Sequence, residues 1–313
     1  MSAPIVAQAS IEAAYPLIRP YIRETPLVEV AAADFGLAGQ PVTFKLEFLQ
    51  VSGTFKARGA FYSLLTRGEA GRGVVAASGG NHGAAVAYAA QKLGRHAEIF
   101  VPAISSPAKI AKIKAYGAEV VVGGATYSEA FAASQERVAA TGDMYVHAYD
   151  QAETLIGQGT VGLELRRQAP ETETLLVSVG GGGLIGGITA SYAGSAKIVG
   201  VEPEQAPTLN RALAAGEPVD VQVSGIAADS LGAKRIGSLA LPILRQFNVQ
   251  SLLVADDEIV AAQRTLWDKL RVVVEPGGAA AFAALMSGRY RPAPGERVAV
   301  LLCGANTGAV NFG

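Results

Sequence analysis

The stretch that decides the fold is TLLVSVGGGGLIGG, residues 174–187, in which an apolar run ends in four consecutive glycines. Continuous apolar runs of this kind are typical of parallel strands that are buried on both faces. Four glycines are costly in chain entropy, but they bring backbone N–H groups to the start of the next helix, where a phosphate binds well. The stretch therefore predicts a strand, an anion-binding loop and a helix, with tight helix packing as the other explanation of the glycines.

Strand and helix patterns alternate on both sides of this unit, which predicts an α/β fold with doubly wound parallel sheets. We predict a small domain at 51–149, with its core at about 73–149, inserted into a large domain formed by 1–50 and 150–313. Ligands in such folds bind beyond the carboxyl ends of the strands. The predicted strands are 42–48, 73–77, 97–101, 119–122, 144–147, 174–179, 197–202, 251–254 and 298–302. The predicted helices are 11–22, 81–93, 107–116, 127–139, 155–168, 184–193, 207–215, 256–270 and 278–286.

Composition excludes several classes of protein. The 313 residues are half apolar and 17% charged, which fits a compact globular protein, and the net charge of −1 comes without a basic run that would bind nucleic acid or membrane. The uncharged window 174–196 is too rich in glycine and too β-like at its start for a membrane span. Cys303 is the only cysteine, so no intramolecular disulfide forms, and the N-terminus lacks the pattern of a signal peptide. We expect a cytoplasmic protein.

Lys56 is the first candidate for chemistry. It lies in SGTFKARGA, residues 52–60, where a Ser-Gly turn gives way to a helical pattern. The macrodipole disfavours a positive charge in the first turn of a helix, so this position suits an amine that must sometimes be neutral. Such lysines form Schiff bases with carbonyl compounds, including pyridoxal phosphate (PLP). A solvated lysine near a helix start is the other interpretation.

Two more loops follow predicted strands. The loop SGGNHG, residues 78–83, offers free N–H groups to an anion, and Asn81 can donate to a phenolate oxygen; alternatively Asn81 or Ser78 caps the helix and His82 only packs. Cys303 follows the last strand and faces a ligand cleft, unless it is simply a small buried apolar residue. A nucleophilic thiol would need a cationic partner, and the sequence shows no clear one.

The glycine loop also allows a dinucleotide interpretation. Gly181, Gly183 and Gly186 fit G-x-G-x-x-G, and Glu202 ends the next predicted strand about 20 residues later, as in dinucleotide-binding folds. A nicotinamide or flavin oxidoreductase is therefore the alternative on local pattern.

With these loops in view, the chain resembles the fold-type II PLP enzymes, in the branch of serine/threonine dehydratases (threonine deaminases) and serine racemases. The resemblance runs over nearly the whole chain and displaces the dinucleotide interpretation. It implies a tryptophan synthase β-like fold, in which two doubly wound domains hold PLP in the cleft between them, and a homodimer. The matching motifs are TPL at 25–27, SGTFKARGA at 52–60, SGGNHG at 78–83, GQGT at 157–160, GGGG at 180–183, GVEP at 200–203, EPGGA at 275–279 and CGAN at 303–306.

The resemblance also implies roles for individual residues. Lys56 looks like the lysine that holds PLP as a Schiff base. The other implied cofactor contacts are Phe55 on the pyridine ring, Asn81 on the phenolic oxygen, Gly180, Gly181, Gly182 and Gly183 on the phosphate, and Cys303 at the pyridine nitrogen, where most members have serine. The implied substrate-binding residues are Ser78, Gly79, Asn81 and His82, which would hold the carboxylate of a small amino acid.

The implied reaction is β-elimination of L-threonine or L-serine to a 2-oxo acid and ammonia, with Lys56 as the base at Cα. A neutral thiol at Cys303 would leave the pyridine nitrogen unprotonated, which favours expulsion of the β-hydroxyl; a thiolate would not. Racemases of the branch carry a serine where this chain has Gly79, so we expect little racemase activity.

Other features leave alternatives open. Glu202 and the Ala206 carbonyl match a divalent cation site (Mg²⁺ or Ca²⁺) of part of the branch, but Thr208 replaces a carboxylate there. Residues 224–232, with Asp229, match a region that lines the substrate site, and no C-terminal regulatory domain is expected. The alternatives are a serine racemase, a 3-hydroxyaspartate dehydratase that would need a cation such as Arg58 or Lys234, or a catalytically weak protein that retains PLP for its structure.

Overall fold

The computed structural model describes residues 5–67, 72–105, 107–308 and 310. The first four residues, on which part of the expectation about a signal peptide rests, lie outside this set. Among the described residues, the helices are α1 (Gln8–Ile18), α2 (Lys56–Arg67), α3 (Asn81–Lys92), α4 (Pro107–Ala115), α5 (Tyr127–Thr141), α6 (Ala152–Gln168), α7 (Gly183–Tyr192), α8 (Thr208–Ala215), α9 (Ala228–Leu231), α10 (Ala240–Gln246), α11 (Asp256–Leu270) and α12 (Pro276–Met286). The strands are β1 (Leu27–Val30), β2 (Val42–Lys45), β3 (Val74–Ala77), β4 (Ala97–Val101), β5 (Glu119–Val122), β6 (Met144–Tyr145), β7 (Thr174–Ser178), β8 (Lys197–Pro203), β9 (Gln250–Val254) and β10 (Val298–Leu301).

The strands form two sheets. The larger sheet has the order β1-β2-β10-β7-β8-β9, and the smaller has the order β5-β4-β3-β6. All pairs are parallel except β1 with β2. Strands β7 and β10 are fully buried, as expected when helices cover both faces of a sheet. The continuous apolar runs, alternating along the chain with helical patterns, thus predicted the parallel strands. The placement of the smaller sheet between β2 and β7 in the chain fits an insertion. The domain boundaries themselves stay a prediction.

Differences from the predicted elements have local causes. Helix α1 ends at Ile18 rather than at residue 22, because Pro20 has no backbone N–H to continue the helical hydrogen bonds. Strand β1 was not among the predicted strands. Helix α10 was not predicted either, since Pro242 near its beginning and the polar stretch before it obscured the helical pattern. Helix α11 has the predicted bounds. None of the described helices is long and apolar enough to cross a membrane.

A buried ion network attaches α2, the helix that begins with Lys56, to the larger sheet. The Arg58 guanidinium donates to Glu47 (Nε–Oε1, 2.6 Å) and to Glu164 (Nη1–Oε1, 2.8 Å). Lys45 donates to the other oxygen of Glu164 at 2.8 Å. All four side chains are buried. Because unpaired charges at these positions would be costly, the network fixes the start of α2 relative to β2 and α6.

Candidate active site

One cleft gathers the residues that the sequence proposed as cofactor contacts. It lies at the carboxyl ends of β7 and β10, where loops from both sheets meet. Its lining includes Phe55, Lys56, Asn81, Gly180, Gly181, Gly182, Gly183 and Cys303, together with Tyr149, Ser230 and Glu275. The sequence assigned no role to Tyr149 or Glu275, whereas Ser230 lies in the segment 224–232 that was expected to line the substrate site. The cleft therefore brings together a primary amine, an amide, a thiol, a carboxyl group and the start of α7.

Lys56 is positioned by its neighbours. Its Nζ donates to the Ala148 carbonyl at 2.7 Å and lies 5.1 Å from the centre of the Phe55 ring. Burial lowers its pKa to about 8, although Cys303 and Glu275 act in the opposite direction. The turn that carries Ala148 is held by His147, whose Nδ1 accepts from the N–H groups of residues 149 and 150. An amine with this pKa is partly neutral near pH 7, as a nucleophile or base must be.

The segment before Lys56 is joined to the end of β10 by backbone bonds. Thr54 and Gly304 form an antiparallel bridge. The Phe55 N–H donates to the Cys303 carbonyl at 3.2 Å, and the Ala305 N–H donates to the Gly53 carbonyl at 3.0 Å. These bonds place Lys56 and Cys303 on the same cleft although they are far apart in the chain.

Cys303 is a buried thiol without a cationic partner strong enough to ionise it. Burial raises its pKa to about 12, and the nearby Glu275 carboxyl acts in the same direction. Its Sγ donates to the Gly277 carbonyl at 3.5 Å. The thiol is therefore neutral, which is the state that the argument from the sequence required, while its place opposite a pyridine nitrogen stays a prediction.

The glycines of the loop serve two purposes. Gly182 has φ = +87° at the start of α7, a conformation that other residues adopt only with strain. A side chain on Gly183 would lie 2.8 Å from the Tyr149 carbonyl, and one on Gly187 would collide with α6. Tight packing thus explains Gly187, whereas residues 180–183 also line the cleft at the positive end of a ten-residue helix.

Asn81 and Glu275 form the polar wall of the cleft. Asn81 is the first residue of α3 and does not cap it; instead its Nδ2 donates to Glu275 Oε1 at 2.6 Å. Burial raises the pKa of Glu275 to about 7, although the hydrogen bond from Asn81 acts to lower it. The motif EPGGA contains Glu275, but nothing in its local pattern indicated a contact 194 residues away.

The loop 78–83, proposed as the substrate carboxylate site, lies beside this wall. Ser78 Oγ accepts from the Gly80 N–H at 3.2 Å, which shapes the turn. His82 is buried, its Nε2 lies 2.9 Å from the Val146 carbonyl, and burial with the nearby Lys56 charge lowers its pKa to about 3. The His82 ring thus packs, as one interpretation held, and its backbone N–H is what remains for an anion. Asp229 pairs with Lys109 near the cleft.

Two cations proposed for a second substrate carboxylate are not available. Arg58 is fully buried, and its donors bond to Glu47, Glu164, the Thr160 hydroxyl and the Arg23 carbonyl. Lys234 is exposed and does not line the cleft. No sequence pattern placed either residue at a β-carboxylate, and the structure gives no reason to do so, because Arg58 is buried in the ion network and Lys234 lies outside the cleft.

Glu202 does not offer its oxygens to a cation. Its carboxylate accepts from the N–H groups of Leu209 and Asn210, at 2.7 and 2.8 Å, and from Ser251 Oγ at 2.7 Å. Thr208 Oγ1 donates to the Gly180 carbonyl at 2.6 Å. Glu202 therefore stabilises the start of α8, and the donor set does not fit a divalent ion; the cation named from the sequence stays an untested prediction.

The cleft fits PLP in the chemistry of its groups. Free N–H groups at the start of α7 suit a phosphate, the Lys56 amine suits an aldehyde, and the Asn81 amide suits a phenolic oxygen. Side chains on residues 182 and 183 would collide with the protein around the loop, since a Cβ there would lie 2.7 Å from the Ile236 side chain and 2.8 Å from the Tyr149 carbonyl oxygen. The residues present thus match the donors that this cofactor requires.

Comparisons with known proteins agree with this geometry. Residues 18–304 match the family described as "Pyridoxal-phosphate dependent enzyme". The phenylserine dehydratase of Ralstonia pickettii is 40% identical over 94% of this chain and 91% of its own length. The L-threonine ammonia-lyase of Geobacter sulfurreducens is 36% identical over 91% of this chain and 72% of its own. The solved structure of maize serine racemase superposes with a TM-score of 0.91 at 32% identity, covering 97% of this chain and 95% of that one.

Proposed function

The chain belongs to the family of pyridoxal-phosphate dependent enzymes, and we propose that it is an ammonia-lyase that dehydrates and deaminates L-threonine, L-serine or both. The fold is the tryptophan synthase β-like fold of serine racemases and threonine deaminases. The observation that carries the proposal is the convergence of the Lys56 amine, the Asn81 amide and the glycine loop on one cleft. The dinucleotide alternative has no support in the family match, and Glu202, its acidic residue, is occupied by α8.

Lys56 carries the proton transfer in this proposal. When bound, PLP supplies a conjugated acceptor for the negative charge that develops at the substrate Cα. Lys56 takes the Cα proton, because burial lowers its pKa to about 8 and leaves part of the amine neutral near pH 7. Cys303 remains a neutral thiol bonded to Gly277 and supplies no charge to the cofactor ring. The N–H groups of loop 78–83 bind the substrate carboxylate.

The overall reaction is balanced without an external oxidant. For L-threonine, the Cα–H and Cβ–OH bonds break and water leaves. The unsaturated amine that remains becomes an imine as one proton moves from nitrogen to Cβ, and addition of one water at Cα then releases ammonia and gives 2-oxobutanoate. L-Serine would give pyruvate by the same steps.

Related activities differ in what they require of the cleft. A racemase needs a proton donor on the second face of Cα, and Gly79 has no side chain to supply one. A 3-hydroxyaspartate dehydratase needs a second cation, and Arg58 and Lys234 do not serve. The Ralstonia relative is named for phenylserine, so an aryl group on Cβ belongs in the set of substrates to be tested.

The deciding experiment is a visible absorbance scan of the purified protein, followed by assays with L-threonine, L-serine, 3-phenylserine and D-serine. We expect the absorbance of lysine-bound PLP, a change on adding L-threonine, and equal amounts of 2-oxobutanoate and ammonia. The Lys56→Ala variant should show neither the band nor turnover. A wild-type protein that binds PLP but releases ammonia from none of these amino acids would contradict the proposed function.

We also propose a homodimer in the reducing cytoplasm. The single buried cysteine supports the cytoplasmic location, because no disulfide contributes to stability. Trp267 on α11 is half exposed, with the Arg271 guanidinium over its ring, so it is not a core residue of one subunit. Sedimentation of wild-type protein and of a Trp267→Ala variant tests whether this surface contributes to the dimer.

A further inference from the structure

A series of hydrogen bonds, in which each group donates to the next, runs from α4 to the cleft. Lys112 Nζ donates to Asn306 Oδ1 and to the Ser52 carbonyl. Asn306 Nδ2 donates to Asn81 Oδ1 at 2.8 Å and to the Ser52 carbonyl at 3.0 Å. Asn81 Nδ2 then donates to Glu275 Oε1 at 2.6 Å. These bonds connect α4, the segment after β10, the start of α3 and the residue before α12.

The Lys112 end of this series of hydrogen bonds fixes its direction, because an ammonium group can only donate. With Lys112 on its oxygen, Asn306 must present its NH₂ group to Asn81. Asn81 must then accept through its oxygen and donate through its nitrogen, and Glu275 Oε1 accepts that bond. The second N–H of Asn81 is left for the cleft that this residue lines.

The surroundings are built for these contacts. Ser52 has φ = +64° and Gly53 has φ = +82°, so two successive residues adopt the left-handed conformation in the turn whose carbonyl accepts from both Lys112 and Asn306. Such strain in a residue other than glycine costs about 1–3 kcal/mol and persists where the surroundings impose it. A side chain on Gly53 would lie 2.5 Å from Asn306 Oδ1. The turn therefore admits Asn306 only because residue 53 is glycine.

We propose that Lys112, Asn306 and Glu275 are positioning residues that hold Asn81 as a hydrogen-bond donor toward the bound cofactor. This inference rests on the proposed function only through the presence of PLP. Lys112 and Asn306 do not line the cleft, so they act through Asn81. This series of hydrogen bonds also joins helices that pack on the smaller sheet to segments of the larger sheet. It therefore forms completely only when both sides of the cleft are together.

The test reverses the direction of the hydrogen bonds between these residues without removing them. In Asn306→Asp, the new carboxylate still accepts from Lys112 but cannot donate to Asn81 Oδ1. Asn81 is then expected to turn over and present its oxygen where it now donates. Asn306→Ala removes the link and imposes no orientation. The dissociation constant for PLP and the visible band of the bound cofactor are measured on apoprotein reconstituted with PLP, without substrate.

We expect Asn306→Asp to weaken PLP binding about tenfold, the size of one lost hydrogen bond to a charged group, and to shift the visible band. Asn306→Ala should weaken it less. A merely structural role predicts the reverse order, because alanine leaves a cavity and aspartate keeps the shape. Asn306→Asp binding PLP as tightly as Asn306→Ala, or more tightly, would overturn the proposal.

A second variant, at the half-exposed Lys112, reverses the same hydrogen bonds in case Asn306→Asp does not fold. Lys112→Glu puts an acceptor where a donor was, whereas Lys112→Met only removes the donor. Lys114→Glu on the exposed face of α4 makes the same change of charge outside this series of hydrogen bonds. We expect Lys112→Glu to weaken PLP binding more than Lys112→Met, with Lys114→Glu unchanged. Equal effects of Lys112→Glu and Lys114→Glu would overturn the proposal. A wild-type protein that binds PLP but does not deaminate these amino acids would contradict the proposed function and would leave this inference untouched.

Discussion

The Ser105 side chain occupies the space that a side chain on Gly79 would need. A Cβ atom built on Gly79 would lie 2.8 Å from Ser105 Cβ, and closer still to the hydroxyl oxygen. The absence of a side chain at residue 79 is therefore matched by a serine from the segment after β4. The two residues form one packing unit at the edge of the cleft.

Gly79→Ser should consequently be tolerated only together with a smaller residue at 105. We expect the single variant to lose about 1–3 kcal/mol of unfolding free energy through overpacking, and Gly79→Ser with Ser105→Gly to recover most of it. Urea denaturation of the four proteins of the cycle measures the coupling. Additive effects of the two substitutions would show that the side chains do not compete.

The pKa of Lys56 predicts how the apoprotein captures PLP. Only the neutral amine attacks an aldehyde, so the capture rate should rise about fiftyfold from pH 6 to pH 8 and level off above the pKa of about 8. A model lysine amine has an ordinary pKa of about 10.4, so its rate should keep rising past pH 9. Stopped-flow absorbance follows both reactions in the same buffers. A protein rate that climbs in parallel with the model amine beyond pH 9 would contradict the lowered pKa.

Arg58 should matter to stability rather than to substrate choice. Arg58→Met leaves Glu47 and Glu164 buried with too little positive charge, and the expected loss is about 3–5 kcal/mol of unfolding free energy. Denaturant titration measures it. Arg235→Met is the matched control, because Arg235 and Asp220 form an exposed pair whose loss should cost much less. Similar losses in the two variants would contradict the importance of burial.

Acid should weaken the same network. Burial alone would raise the pKa of Glu164, but Arg58 and Lys45 outweigh it and hold the pKa below its usual range. The stabilisation is therefore present above the ordinary pKa of about 4.3 and is lost as the pH falls through the lowered value. In Arg58→Met this acid-dependent loss should be smaller, as measured by thermal melts between pH 3 and 6.

A divalent cation should stabilise the protein only after a substitution that creates a binding site for it. Because Glu202 is satisfied by protein donors, a chelator should not alter the melting temperature of the wild type. Thr208→Asp places a second carboxylate beside Glu202 and removes the donor to Gly180, so we expect a lower melting temperature that Mg²⁺ or Ca²⁺ restores. A wild-type protein that Mg²⁺ stabilises as strongly as the variant would contradict this account.

Local patterns predicted what is local. Residues 174–187 contain a strand, a loop and a helix start in one run, so their arrangement and the parallel sheets followed from the sequence, and the fold is confirmed. Lys56 at the start of α2 was predictable for the same reason. Contacts between distant segments were not. Glu275 reaches Asn81 from 194 residues away, and Ser105 reaches Gly79 from another loop. The local signal at Glu275, an acidic residue directly before the Pro-Gly-Gly start of a buried helix, marks the helix start and not the contact with Asn81.

The bridge between Thr54 and Gly304 has a consequence for synthesis of the chain. A ribosome makes Lys56 long before residues 303–305, whose backbone holds the segment that precedes Lys56. Sequence separations of this size slow folding, because a long loop must close before the contact forms. A nascent chain thus has its reactive amine well before it has a cofactor site, and PLP capture should wait until β10 and the residues after it have folded against that segment.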